Sequence, residues 1–209
     1  MNLPNALTLL RIFIVPLLVV VLLTPFSENW LGVPRHILGV VMFLGAALTD
    51  YFDGHLARTR RQISAIGVFL DPIADKLLVS SVILMLVATA RIDHVTVLPA
   101  LVILCREILV SGLREFLASL QVSVPVSRLA KWKTAIQMVA LGFLIVGQAG
   151  PSWVPVQMIG ESGLWGAAIL TLFTGYDYLR TGLAHMTESP AGSNEHAQRG
   201  KPQVQPRVG

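Results

Sequence analysis

Apolar residues run through this chain in blocks, not in the alternation that marks half-buried strands. Six blocks approach the roughly 20 mostly apolar residues that a helix needs to cross the hydrocarbon core of a bilayer. They lie at about 7–25, 36–58, 66–90, 95–118, 132–149 and 156–180. The second, third and fourth are apolar over only part of their length, which places their charged ends at the membrane interface or around a polar cavity. Stretches bearing Gly and Pro, TPFSENWLGVPR and QAGPSWVPVQ, separate the first pair and the last pair. The pattern predicts an all-α, polytopic membrane protein with six transmembrane helices in one domain over residues 1–186. The tail 187–209 is rich in Pro, Gly and Gln without hydrophobic periodicity; it is expected to be disordered and cytoplasmic, since it cannot bury enough surface to offset the entropy of ordering.

Composition agrees with that pattern. Hydrophobic residues make up 54% of the 209 and charged residues 13%, with a mean hydropathy of +0.67, outside the range of an ordinary soluble domain. A cytoplasmic N-terminus leaves only Arg35 and Arg91, of the 16 Lys and Arg residues, on the far side. The positive-inside rule therefore favours an even number of spans with both termini cytoplasmic. The formal charge of +4 then reads as topology, and no nucleic-acid partner is expected. The apolar run after Arg11 imitates a secretory signal, but no small-residue cleavage site follows it. The single cysteine, Cys105, lies in an apolar stretch and is expected to be buried.

One segment breaks the apolar pattern: LTDYFDGHLARTRRQISAIGVFLDPIADK, residues 48–76, holds four of the six aspartates. At 100° per residue, Asp50 and Asp53 project about 60° apart from the end of the second span, and Asp71 and Asp75 about 40° apart from the start of the third. The short connector TRRQISAIG predicts that these two helices are antiparallel neighbours with the two pairs facing one another. Four carboxylates converging in a poorly hydrated place repel by several kcal/mol, or take up protons, unless cations neutralise them. Arg58, Arg60, Arg61 and Lys76 would serve for a single aspartate on a wetted helix end. Four at this spacing, all oxygen donors, point instead to a hard divalent cation, Mg²⁺ or Mn²⁺. Two such ions would suit phosphoryl transfer. Gly54, Ala57 and Gly67 have minimal side chains, which admits either a phosphate group or a closely packed helix. Arg58 carries a fork that fits phosphate oxygens.

The pattern Asp50-x2-Asp53-Gly54-x2-Ala57-Arg58-x8-Gly67-x3-Asp71-x3-Asp75 resembles the signature of the CDP-alcohol phosphotransferases, with every fixed position present. The resemblance implies a six-helix membrane enzyme, usually a homodimer, that moves a phosphatidyl or related group from a CDP-linked donor to an alcohol and releases CMP. It implies further that Asp50, Asp53, Asp71 and Asp75 bind divalent metal and that Asp75 is the catalytic base. Gly54, Ala57, Arg58 and Gly67 would border the donor.

The fourth span carries ILCREILVSGLREFLASL, in which Glu107, Ser111 and Arg114 fall within about 60° on a helical wheel. Beyond it, SRLAKWKT presents Arg128, Lys131 and Lys133 at the edge of the fifth span. Such a group suits an acceptor that already bears a phosphate, although basic residues beside a span also touch lipid headgroups. Together with NLPNALTLLRI, REILVSGLREFLA and KWKTAIQMVAL, the segments over about 1–182 resemble the members of that family that use CDP-diacylglycerol and glycerol 3-phosphate. That likeness implies Ser111, Arg114, Arg128, Lys131 and Lys133 around the acceptor phosphate, in the cell membrane, with the site on its cytoplasmic side. Other acceptors, an intramembrane prenyltransferase, and a divalent-cation transporter remain open on the residues alone.

Overall fold

The structure is a computed structural model. It describes the backbone of residues 3–60, 65–119 and 128–188, and the side chains of 5–49, 67, 69–119, 129–180, 182 and 183. The helices are α1 (Leu3–Leu23), α2 (Phe26–Leu31), α3 (Arg35–Arg60), α4 (Ala65–Ala88), α5 (Val97–Ser119), α6 (Arg128–Val146) and α7 (Val156–Glu188). No strand occurs among the described residues. Each of the six apolar blocks is a helix, and among the described residues three, over Asn5–Leu23, Leu129–Ala149 and Val156–Arg180, are long and apolar enough to cross a membrane. Helix α7 runs to Glu188, two residues past the expected domain boundary, and the remainder of the tail lies outside the described residues.

The short α2 was not expected, because FSENWL lacks the length for a periodic signal. Its end is nevertheless written locally: Gly32 adopts φ 63° and returns its N–H to the Ser27 carbonyl, the left-handed closure that glycine takes without cost. Helix α4 closes the same way with a less suited residue. Ala90 sits at φ 49°, its N–H bonds Val87 O, and the Arg91 N–H bonds Leu86 O, which is the Schellman pattern.

Neighbouring contacts fix the helix directions. Thr8 bonds Asp71 and Arg11 bonds Asp75, one turn further along both helices in the same sense, so α1 and α4 are parallel. On α6 and α7 the order reverses: Gly160 lies against Leu144 and Gly163 against Ala140, so this pair is antiparallel. A Cβ on Gly163 would sit 2.9 Å from that of Ala140, which explains the small residues at this crossing. Gly39 meets both Leu22 and Ile145, which places the start of α3 beside the ends of α1 and α6.

These directions give the bundle two chemically different ends. The starts of α1, α4 and α6 and the ends of α3, α5 and α7 share one end, and they carry Asp50, Asp53, Asp71 and Asp75 and most of the basic residues among those described. The core between the ends is apolar, with Leu18, Phe43, Val82, Leu86, Ile103, Leu141, Leu144, Ile145 and Leu164 almost fully buried. Among the described residues α1 packs extensively on both α3 and α4, which touch each other little; the side chains of 50–66, where the two helices were expected to face one another, lie outside the described residues. Cys105 is exposed, contrary to expectation. It lies on one stripe of α5 with the exposed Leu101 and Ile108, a face turned away from the bundle core.

Candidate active site at the charged end

Helix α1 supplies what the aspartate pattern alone did not reveal. Its residues Thr8 and Arg11 stand about 60° apart on the wheel, on the face that meets α4. The Thr8 hydroxyl donates to Asp71 Oδ1 at 2.5 Å, and Arg11 Nη1 donates to Asp75 Oδ1 at 2.7 Å. The Arg11 side chain has 0% exposure whereas Asp75 keeps 49%. A positive charge therefore lies inside the helix packing while its carboxylate partner reaches outward. The available signal was an arginine in an apolar span, which must find a partner.

Asp71 is half-buried, Asp75 is exposed and Gly67 is buried. The backbone places Asp50, Asp53, Gly54, Ala57 and Arg58 on the last turns of α3, at the same end of the bundle. Their side chains lie outside the described residues. The donor chemistry fits a hard divalent cation: Asp71 and Asp75 offer only oxygen, one turn apart, and the Asp75 side chain keeps 49% of its surface exposed. Lys76 turns back along α4 to the Pro72 carbonyl at 2.7 Å.

A second polar group joins α5, α6 and α7. Lys133 is buried and its ammonium donates to Glu107 Oε1. Arg106, 3.7 Å from the same carboxylate, donates to the Thr174 hydroxyl at 2.9 Å. Arg114 lies with its guanidinium carbon 5.4 Å from the centre of the Tyr178 ring and Nη2 3.5 Å from the Tyr178 hydroxyl. The predicted stripe of Glu107, Ser111 and Arg114 thus divides between neighbours: Glu107 engages α6, Arg114 engages α7, and Ser111 is half-buried. Lys131 is exposed, and the Arg128 side chain lies outside the described residues. Arg106, Thr174 and Tyr178 were not singled out from sequence as site residues. Thr174 and Tyr178 are four apart on α7, a polar face within an apolar helix.

The opposite end is also polar but differently built. Glu28, Arg35, Arg91, Gln148, Gln157 and Glu161 line a cavity of about 590 Å³ there. Arg91 donates to the Ile145 carbonyl, and its own carbonyl accepts from Gln157 Nε2 at 2.6 Å. Burial and the nearby Arg35 hold the Arg91 pKa below the ordinary guanidinium value.

Comparison with known proteins places these features in context. Residues 1–173 match the family model for CDP-alcohol phosphatidyltransferase. A Rickettsia felis protein named CDP-diacylglycerol--glycerol-3-phosphate 3-phosphatidyltransferase is 49% identical over 86% of this chain and 94% of its own length. Proteins of the same name from Salmonella choleraesuis and Cereibacter sphaeroides are 40% identical over 85% of this chain and 93% of the relative's own length, and 34% identical over 90% and 98%, respectively.

Proposed function

This chain belongs to the CDP-alcohol phosphatidyltransferase family, and from that premise we propose that it transfers the phosphatidyl group of CDP-diacylglycerol to glycerol 3-phosphate. The products are phosphatidylglycerol phosphate and CMP, and the reaction serves phospholipid biosynthesis. The observation that carries this reading is the 49% identity with a protein bearing that enzyme's name, across 94% of that protein. In the same reading all six long helices span the cell membrane, both termini and the charged end face the cytoplasm, and the enzyme is a homodimer.

The donor's acyl chains lie in lipid and its diphosphate lies at the aspartates. Gly54, Ala57, Arg58 and Gly67 border its nucleotide part. Asp50, Asp53, Asp71 and Asp75, all oxygen donors, would hold Mg²⁺ or Mn²⁺ as two ions whose charge would offset that of the diphosphate. The primary hydroxyl of glycerol 3-phosphate attacks the phosphorus that bears diacylglycerol, the bond from that phosphorus to the CMP oxygen breaks, and Asp75 accepts the hydroxyl proton. Thr8 holds the Asp71 carboxylate and Arg11 that of Asp75, which fixes both before substrate arrives and so reduces reorganisation during the reaction.

Arg114, Arg128, Lys131 and Lys133, with Ser111, hold the acceptor's phosphate. Within this set Lys133 acts from its pair with Glu107, and Arg114 from its seat on Tyr178. The test is purified protein given CDP-diacylglycerol with glycerol 3-phosphate, serine, phosphatidylglycerol or inositol phosphate in separate reactions. CMP release with glycerol 3-phosphate alone is the expected result. Release only with another acceptor would move the assignment elsewhere in the family.

A further inference from the structure

We propose that Arg11 is a resident counter-ion of the carboxylate site, which positions Asp75 and competes with the divalent cation for it. The inference rests on the metal-dependent function proposed above. A cation of 0% exposure lies 2.7 Å from a carboxylate of 49% exposure. Charge in such a pair is unequally solvated: Asp75 meets water or ligand, while Arg11 depends on protein groups for compensation. Helix α1 is held to α4 a turn earlier by the bond from Thr8 to Asp71, so the guanidinium has little freedom to withdraw.

Two consequences follow from Coulomb's law in a partly dehydrated site. Without metal, Arg11 offsets part of the repulsion among the acids. With metal, the same charge opposes the incoming ion and weakens its binding. The diphosphate of the donor brings compensating negative charge, so metal is held firmly only together with donor. Arg11 in this role is a positioning residue and touches neither substrate nor the reacting phosphorus.

Mn²⁺ binding to the purified full chain, followed by electron paramagnetic resonance, tests this together with thermal unfolding. Arg11→Gln keeps a hydrogen-bond donor and removes the charge; it should bind Mn²⁺ at least about tenfold tighter than wild type. Its melting temperature should fall without metal and recover most of the loss at saturating Mn²⁺. Arg11→Lys, which keeps the charge, should bind within about threefold of wild type. Unchanged or weaker binding by Arg11→Gln, or an equal stability loss with and without Mn²⁺, would overturn the inference while leaving the function intact. If Arg11→Gln does not fold, the wild-type chain decides: CDP-diacylglycerol should tighten Mn²⁺ by at least about tenfold, and equal affinity contradicts the proposal. Mn²⁺ binding unaffected by Asp75→Asn would instead remove the metal site itself, and the inference with it.

Discussion

Arg11 and Arg91 stand at opposite ends of the bundle, and each is drawn into the protein, yet their partners differ in kind. Arg11 meets a carboxylate that keeps half its surface. Arg91 meets a backbone carbonyl at the end of α6 and, through its own carbonyl, a glutamine on α7. The first arrangement leaves a carboxylate facing outward and constrained from behind. The second satisfies helix-end groups that would otherwise lack partners. Both ends are polar, and both carry charge. What distinguishes a site from a clamp is therefore whether the partner's functional atoms still face open space.

The largest expected effect falls at the outward-facing acid. Asp75→Asn should lower CMP release by at least about a hundredfold, because the proposed base is lost, while the chain stays folded: the amide oxygen can still accept from Arg11. Retained folding is checked by melting in membranes or detergent. At the other end, Arg91→Met should cost about 1–3 kcal/mol of stability by leaving the Ile145 carbonyl without that donor, with activity per folded molecule unchanged. A loss of activity beyond the loss of folded protein would break the contrast between the two ends.

Arg114→Ala sharpens it from the charged side. It should raise the KM for glycerol 3-phosphate about tenfold, the scale of one charged hydrogen bond, with little change for CDP-diacylglycerol; equal effects on both substrates would assign Arg114 to packing against Tyr178. The smallest effect belongs to Asp93, whose carboxylate accepts the Thr96 N–H at 2.7 Å and is held below its ordinary pKa chiefly by its hydrogen bonds to Thr96. A depressed carboxylate pKa contributes stability above the unfolded value, and that contribution disappears as pH falls through the folded value. The melting difference between wild type and Asp93→Asn should therefore be present at neutral pH and vanish in acid.

Much of the fold was legible because a membrane-length apolar block has few alternatives to a helix. All six blocks became helices, and among the described residues most basic positions lie at the end of the bundle that also carries the four clustered aspartates. The aspartate pattern was legible for a related reason: four acids need compensation wherever they meet. The identity of part of that compensation was not. Thr8 and Arg11 lie more than 60 residues from their partners, and helical periodicity describes one helix without saying which other helix faces it. The same limit hid α1 between α3 and α4, and it hid the ring of Tyr178 beneath Arg114. Helix α2 escaped because six residues between a proline and a glycine give too few turns for periodicity, although the cap at Gly32 was written in the sequence.

The most direct measurement compares CMP release by wild type, Asp75→Asn and Arg91→Met in the same vesicles, with CDP-diacylglycerol, glycerol 3-phosphate and Mg²⁺ supplied and each rate divided by the amount of folded protein. The account predicts a wild-type rate for Arg91→Met and about one hundredth of it or less for Asp75→Asn. A full rate from Asp75→Asn, or its collapse in Arg91→Met, would place the chemistry somewhere other than the carboxylates that α1 holds in place.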